Sequence, residues 1–540
     1  MGRFRSTVAR ANVKLPIKTA AVLLASSTFV SGILGLLRDR QLNGLYYTTY
    51  PQGIDAYTVA FTVPDFMFFI LVSGALSVTF IPVFNQRLAD NNKKSAWELS
   101  TSMLNLMAIV TLIASILIII FAEPLVRYIV GPGLNESGRA LAVSMMRVIA
   151  VNPFLFAIAT VISSMQQAVG RFTFFAMAPA VYNVGIIIGA VFFTNGINIF
   201  GWQVFEGGIM GVALGVVLGS IMQLLISCVG LFGMGFDYRF KIYWQNRGFR
   251  KVLSLLPARS LDQGIDYING IVETNLASRM AAGTIRAYQQ SSTLSLVPVS
   301  LIGVAISTAA FPKMAERLGQ GRPDLFKSEL QSVLRVIIWL ALPVATITFF
   351  GRGYIVNFIK NGGDALMASI LGILAIGILF RSIYHISARS FYAQQNTKTP
   401  LYISFFAIGL NIILAVWFTL GLDMGVYGLA WAASIVAALE VSLLFVMMSK
   451  TIKGLFDIPF INSVVKMILA TIIMGIISYI FVVTLPLGIT DRSFLSSFPK
   501  FGLIIAISGV SYIIISKLFG LQEVDPIINR VKKILFGKFR

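Results

Sequence analysis

Long apolar runs recur along almost the whole chain, and they constrain the fold more than any other feature of the sequence. A helix needs about 20 apolar residues to cross the ~30 Å hydrocarbon core of a bilayer. Runs of that size predict about fourteen transmembrane helices, near 17–37, 57–84, 101–122, 141–168, 173–194, 208–233, 252–275, 286–312, 331–349, 366–388, 401–421, 426–448, 463–485 and 499–518. The run at 252–275 is the weakest, because Asp262, Asp266 and Glu273 interrupt it. The sequence therefore predicts an all-α membrane protein.

The composition argues against a soluble enzyme. Apolar residues make up 57% of the chain and charged residues 12%, whereas soluble domains carry about 45–50% and about 25%. The sequence lacks the P-loop, nucleophile-elbow and H-E-x-x-H motifs. We therefore expect neither an enzyme nor a cofactor. A transport activity would draw its energy from an ion gradient (sodium or proton), from the membrane potential or from substrate turnover.

Cysteine and histidine are too few for two common kinds of site. The chain has one cysteine, Cys228, and one histidine, His385. These counts exclude an intrachain disulfide and a metal cluster built from Cys and His. We interpret both as packing residues within apolar helices.

Basic residues give a formal net charge of +21, but their positions do not indicate nucleic-acid binding. They lie between the apolar runs, mainly at the N-terminus, in alternate connecting segments and in the tail. This distribution predicts cytoplasmic N- and C-termini and contacts with anionic membrane lipids. The first apolar run is too long for a cleaved signal peptide, so we interpret it as the first span. The basic tail, 521–540, also has an apolar helical face, which favours an amphipathic cytoplasmic helix.

Two short patterns recur about 230 positions apart and indicate an internal repeat. The first is Ser77-x-x-x-x-Pro82 followed by Arg87-Leu88, which recurs as Ser307-x-x-x-x-Pro312 followed by Arg317-Leu318. The second is Gln166-Gln167 followed by Asn183, which recurs as Gln394-Gln395 followed by Asn411. An offset of six helices keeps the two copies in the same orientation, as in transporters built from parallel repeats.

The repeat predicts the organisation of the chain. An N-terminal lobe covers 1–240 with helices 1–6, and a C-terminal lobe covers 241–450 with helices 7–12. Helices 13 and 14 occupy 451–520, and the tail occupies 521–540. Two parallel six-helix lobes would enclose a central cavity that opens to either side of the membrane when the lobes rock.

Ionisable side chains inside spans are costly and usually face a bundle interior or a wet cavity. The candidate substrate-binding residues are Arg38, Asp39, Asp55, Arg147, Arg279, Arg286 and Arg381. Arginine forks suit an anionic headgroup such as a diphosphate. Asp262, Asp266 and Glu273 share a helical face and are candidates for binding a coupling cation or biasing the conformation. The alternative for both sets is a structural role. The residues would then form ion pairs between helices, or they would lie at helix ends and extend their charged groups to the membrane interface.

Several stretches resemble one known family in their order along the chain. They are Gly35-Leu-Leu-Arg38-Asp39, the segment from Asp55 to Pro64, Gly74-Ala-Leu-Ser77 to Pro82, Gly131-Pro-Gly-Leu134, the segment from Pro298 to Pro312, and the segment from Phe391 to Pro400. On these residues the chain resembles the MurJ (MviN) family of lipid II flippases, in the multidrug/oligosaccharidyl-lipid/polysaccharide exporter superfamily. The two additional C-terminal helices are also similar to this family.

The resemblance implies a fourteen-helix fold with a central cationic cavity in the bacterial cytoplasmic (inner) membrane. The implied activity moves an undecaprenyl-diphosphate-linked glycan, the peptidoglycan precursor lipid II, from the inner to the outer leaflet. Arg38, Asp39 and Asp55 match positions that the family uses in its cavity. Cell-wall synthesis proteins are implied partners.

The chain departs from the family where arginines are usual. It has Gly32, Phe68 or Phe69, and Thr293 at those positions, and Ser73 where the family has a glutamate. These departures leave alternatives open. They are a flippase for another polyprenyl-diphosphate-linked glycan, a cation-coupled multidrug exporter of the same fold, and a non-transporting scaffold for cell-wall enzymes.

Overall fold

The structure is a computed structural model that describes residues 12–199, 202–488 and 490–536. At 17, 18, 21, 73–78, 199, 202, 204, 257–266 and 531–536 it describes the backbone alone. Contacts within the chain divide it into two units, Met1–Arg286 and Ala287–Arg540.

The first unit contains nine helices and a β-hairpin among its described residues. They are α1 Ile17–Leu42, α2 Pro51–Phe68, α3 Gly74–Ala89, α4 Lys93–Pro124, α5 Glu136–Ile149, α6 Asn152–Ala168, α7 Thr173–Phe192, β1 Ile197–Ile199, β2 Trp202–Phe205, α8 Met210–Val229 and α9 Arg247–Ser278. The two strands are antiparallel, with Ile197 opposite Phe205. The helix α10 Thr284–Val299 begins in this unit and continues into the second.

The second unit is helical throughout its described residues. After α10 it contains α11 Ala305–Gly319, α12 Pro323–Phe350, α13 Arg352–Ile359, α14 Ala365–Ala393, α15 Lys398–Val416, α16 Val426–Thr451, α17 Ile458–Thr484, α18 Phe494–Leu518 and α19 Asp525–Phe536. The predicted tail helix corresponds to α19. Its basic side chains beyond Arg530 lie outside the described residues.

The prediction of about fourteen membrane helices is confirmed. Within the described residues, thirteen helical stretches are long and apolar enough to span a bilayer. The helix α9 covers the fourteenth predicted run, the one that the sequence marks as weakest. Its 32 residues give about 48 Å at ~1.5 Å per residue, which is more than the hydrocarbon core requires.

The contacts group α9 with the first unit, whereas the sequence repeat assigns it to the second lobe. The ring of Tyr267 on α9 stacks on Phe69, with centroids 4.2 Å apart. Near the end of α9, Asn275 donates a hydrogen bond to the carbonyl of Ile129 at 2.6 Å. These contacts explain the grouping, and the division into repeat lobes stays a prediction.

Five π-helical turns interrupt the described helices. They are Asn43–Tyr47, Phe69–Ser73, Leu125–Val130, Ser300–Val304 and Trp417–Gly421. Pro64, Pro124 and Pro298 shortly precede three of them. A proline lacks the N–H that the preceding turn needs, so the following residues can adopt a wider turn. The stretch from Pro51 to Ala89 is therefore one long helix with a π turn in its middle.

Glycines allow α7 and α8 to approach unusually closely. Gly185 and Gly189 on α7 face Gly211, Gly215 and Gly219 on α8. A Cβ at Gly185 would lie 2.2 Å from the Cα of Gly219. Small residues at a four-residue spacing are the usual means by which membrane helices pack backbone to backbone. At these glycines there is no room for a side chain between α7 and α8.

Hydrogen bonds and a tilted aromatic pair, Trp339 and Tyr512, join α12 to α18 in the second unit. The Trp339 indole donates to Ser516 Oγ at 3.1 Å, and the Tyr512 hydroxyl donates to the Trp339 carbonyl at 3.0 Å. Arg335 pairs with the buried carboxylate of Glu523 at 3.2 Å, just before α19. The two C-terminal spans therefore form an integral part of this unit's core.

Candidate functional site

Charged side chains from α1 and from the start of α10 meet inside the first unit. Arg286 is only 4% exposed. It donates from Nη2 to Asp39 Oδ1 at 3.2 Å and from Nε to Asn43 Oδ1 at 2.9 Å. A buried charge is tolerable only when it is paired and hydrogen-bonded. We call Arg38, Asp39, Asn43, Asp55 and Arg286 the buried charged cluster.

Asp55 holds the beginning of α10 through backbone hydrogen bonds. Its side chain lies on α2, is only 2% exposed, and accepts from the N–H of Gly283 at 2.6 Å and of Arg286 at 2.9 Å. A carboxylate at a helix start satisfies N–H groups that lack partners within the helix, and it complements the helix dipole. Gly283 has φ of +92°, a conformation that glycine adopts without steric cost.

Arg38 connects the cluster to α7. It donates to Asp39 Oδ1 from Nε at 3.1 Å and from Nη2 at 3.0 Å, and to Asn183 Oδ1 from Nη1 at 3.0 Å. Asn183 donates in turn to the Ser31 carbonyl at 3.3 Å. The Arg38 side chain keeps about a quarter of its surface exposed, so it is the cluster's most accessible cation.

The sequence interpretation missed three residues near Arg38. Asp65 on α2 interacts electrostatically with Arg38, and so do the buried Tyr57 and the half-buried Tyr182. Asp65 is an acid within a long apolar run, directly after Pro64. That position is the signal that could have identified it, because acids in spans usually mark functional interiors.

The end of α9 packs against the loop between α4 and α5. The N–H of Gly133 donates to Ser278 Oγ at 3.1 Å, and a Cβ at Gly133 would lie 2.4 Å from the Cα of Arg279. The Arg279 side chain is exposed and donates to Asn275 Oδ1 at 3.3 Å. The backbone of Arg279 thus lies in a tight contact, while its guanidinium stays outside the cluster.

The acids predicted on α9 are only partly described. Glu273 accepts a hydrogen bond from Asn269 at 2.9 Å. The side chains of Asp262 and Asp266 lie outside the described residues. Among the side chains that are described, no group of three His, Cys, Asp or Glu could hold a metal ion. The role of these acids in cation coupling stays a prediction.

Besides Arg279, one more predicted arginine of the first unit lies apart from the cluster. Arg147 on α5 is exposed and donates to the Ile119 carbonyl at 3.3 Å. Arg381 lies on α14 in the second unit, partly buried near Gly377. The structure therefore joins Arg38, Asp39, Asp55 and Arg286, and it leaves the side chains of Arg147 and Arg279 apart from them within the same unit.

Aromatic rings or open space occupy positions where the family usually has arginine. Phe69 stacks on Tyr267, and Phe68 meets Phe156 edge to face at 5.5 Å. A Cβ at Gly32 would have nothing within 4 Å. Thr293 is exposed and donates to the Gln289 carbonyl at 2.9 Å. The Ser73 side chain lies outside the described residues.

The described helices define a multi-pass all-α membrane protein, and their arrangement is similar to that of solved transporters of the MOP superfamily. A solved inward-facing transporter of the multidrug resistance MATE family, in that superfamily, has a TM-score of 0.67 at 15% identity, over 81% of this chain and 99% of that one. At that identity the likeness concerns the fold alone.

The family itself is shown by the sequence. The family model described as "Lipid II flippase MurJ" matches residues 52–498, so the chain belongs to the MurJ family. It is 25% identical to a probable lipid II flippase MurJ of Buchnera aphidicola, over 92% of this chain and 96% of the relative. The corresponding protein of Thermotoga maritima is 26% identical over 95% and 98%. A solved structure of lipid II flippase MurJ in an inward closed conformation has a TM-score of 0.73 at 25% identity, covering 92% and 98%.

Proposed function

We propose that the protein moves lipid II, the lipid-linked peptidoglycan precursor, from the inner to the outer leaflet of the bacterial cytoplasmic membrane. The observation that carries this proposal is the MurJ family match over residues 52–498. Transport proceeds by alternating access, with both termini in the cytoplasm as the distribution of basic residues indicates.

Within this proposal, the buried charged cluster closes the outer end of the transport path. With the N-terminus inside, Arg38 and Asp39 lie near the outer end of α1. Arg286 and Asp55 fix the start of α10 to α1 and α2 through the hydrogen bonds described above. Release of these bonds would free the start of α10 from α1 and α2. Bistable elements of this kind are the usual basis of conformational switching.

Arg38 is the proposed contact for the diphosphate of the lipid. Its side chain is the more exposed of the cluster's two arginines, and a planar fork suits two phosphate oxygens. Asp39 and Asn183 orient that fork through three hydrogen bonds. The Arg286 guanidinium, which is committed to Asp39 and Asn43, serves closure instead.

Complementation tests the proposal. The gene should restore growth to bacterial cells depleted of their own lipid II flippase, and Arg38→Ala should fail although the variant accumulates in the membrane. Arg147→Ala is the matched control, because its arginine is exposed and lies apart from the cluster. Failure of the wild-type chain despite good expression would contradict the proposal.

A second candidate is a flippase for another polyprenyl-diphosphate-linked glycan. The aromatic contacts at Phe68 and Phe69, where the family has arginine, favour this alternative. Deleting the gene in its host and analysing the lipid-linked glycans distinguishes the two candidates, since the untransported lipid accumulates. Measuring lipid transport with the sodium or the proton gradient collapsed tests cation coupling by the acids on α9.

Restoring an arginine at Gly32 should strengthen diphosphate binding. The space around a Cβ at this position is open, so Gly32→Arg should fold normally. An added charge-assisted hydrogen bond contributes about 1.5–3 kcal/mol, which corresponds to roughly tenfold or greater tightening. The measurement is binding of a polyprenyl diphosphate to the purified protein. Gly409→Arg, at another open glycine on α15, is the control and should leave affinity unchanged.

A further inference from the structure

An apolar cavity of about 440 Å³ lies beneath the segment that joins α8 to α9. The side chains that line it include Leu104 on α4, Ile162 on α6, Cys228 on α8, and Phe232, Phe236 and Tyr238 on the segment itself. Its volume falls within the range of about 300–1,000 Å³ that is usual for ligand pockets. The walls carry almost no polar groups, so an apolar chain is the appropriate occupant.

Hydrogen bonds fix the segment in place over the cavity. Asn105 on α4 donates to the carbonyls of Arg239 at 2.9 Å and Lys241 at 3.0 Å, and it accepts from the Tyr238 hydroxyl at 2.8 Å. Ser102 accepts from the N–H of Tyr243 at 2.8 Å. The cavity wall is therefore built by specific contacts with α4.

The outer surface of the segment combines aromatic and basic residues. Phe240 is 80% exposed, and Phe232, Tyr238 and Trp244 are about half exposed. The basic residues in 230–251 are Arg239, Lys241, Arg247, Arg250 and Lys251, and the only acidic one is Asp237. Aromatic rings favour the membrane interface, and clustered lysines and arginines favour anionic headgroups.

We propose that the cavity holds an acyl chain of an anionic glycerophospholipid, with the phosphate lying against Arg239 and Lys241. The apolar walls select the chain, and the excess positive charge selects the anionic headgroup over a zwitterionic one. Both cations lie on backbone that Asn105 anchors beside the cavity. Arg239 also pairs with the exposed Asp237 at 3.0 Å, so the phosphate competes with that carboxylate for its guanidinium. The bound lipid is a structural ligand. It lies near the N-terminal segment of the chain, because Asn12 donates to the carbonyl of Gly230, which begins the segment beside the cavity, at 2.7 Å.

Cys228 offers a direct probe, because it lines the cavity and is the only cysteine in the chain. The experiment measures the rate at which a maleimide alkylates the full-length protein in neutral detergent as lipid is added. Dioleoyl phosphatidylglycerol should slow alkylation roughly tenfold when its concentration is about ten times its dissociation constant. Phosphatidylcholine at the same mole fraction, and water-soluble glycerol phosphate, should leave the rate nearly unchanged.

Charge variants test the headgroup contact. Arg239→Gln with Lys241→Gln should require several times more phosphatidylglycerol for the same protection. The matched control is Lys93→Gln with Lys94→Gln, which removes two exposed positive charges at the start of α4 and should behave like the wild type. Equal protection by phosphatidylcholine, or an unaltered response of the Arg239/Lys241 variant, would overturn the proposal.

Fluorescence provides a second measurement that does not depend on thiol reactivity. The emission of exposed Trp244, isolated by comparison with Trp244→Phe, should be quenched more by brominated phosphatidylglycerol than by brominated phosphatidylcholine. Equal quenching by the two lipids would count against a specific site. So would a Cys228 that does not react with maleimide in lipid-free detergent. Neither measurement depends on the transported substrate.

Discussion

Replacing Arg286 by methionine should abolish complementation and strongly destabilise the protein. The change leaves Asp39 buried without one of its two cationic partners and removes the hydrogen bond to Asn43. Breaking a buried ion pair costs about 3–5 kcal/mol. We expect the lower end of that range, because Arg38 still donates to Asp39. Thermal unfolding of the purified protein, together with growth of flippase-depleted cells, measures both effects.

The control for this prediction is Arg279→Met, at an arginine seven positions earlier whose side chain is exposed. A surface substitution of this kind should change stability by no more than about 0.5 kcal/mol. The destabilisation of the double variant Asp39→Leu with Arg286→Met should be smaller than the sum of the two single-variant effects, because both changes remove the same ion pair. A stable and functional Arg286→Met protein would show that the cluster is dispensable.

The second large effect is expected at the interface of α7 and α8. Gly185→Ala places a methyl group 2.2 Å from the Cα of Gly219, so the two helices must separate. Overpacking of this kind costs about 1–3 kcal/mol. A lowered unfolding temperature of the purified protein is the measurement. At Gly409 a Cβ meets nothing within 4 Å, so Gly409→Ala should instead stabilise the helix by about 0.5–1 kcal/mol. Equal effects at the two glycines would mean that the close helix contact does not form.

The number of helices could be predicted from the sequence because the bilayer imposes a length on each apolar run. The spacing of the glycines at Gly185, Gly189, Gly211, Gly215 and Gly219 also carried the information for the close α7–α8 pair. The position of α9 could not be predicted in the same way. Its grouping with the first unit depends on tertiary contacts such as Phe69 on Tyr267, which leave no periodic signal.

The candidate site was predictable in part. Arg38, Asp39, Asp55 and Arg286 stand out as charges in or beside apolar runs, and the structure joins them. Arg147 stands out equally but is exposed. The sequence cannot separate these cases, because lipid-facing and packed faces of membrane helices are both apolar and leave the rotation of each helix undetermined.

The π turns at Phe69–Ser73 and Ser300–Val304 lie about 230 positions apart, at the same offset as the sequence repeat. Each turn holds one residue more than a regular α-helical turn. A single insertion in an ancestral half-length chain, made before the gene was doubled, would account for both. Deleting one residue within either turn would make the helix regularly α-helical there. The residues after the turn would keep their inward-facing and outward-facing positions. Such deletions offer a way to stiffen one half of the molecule at a time.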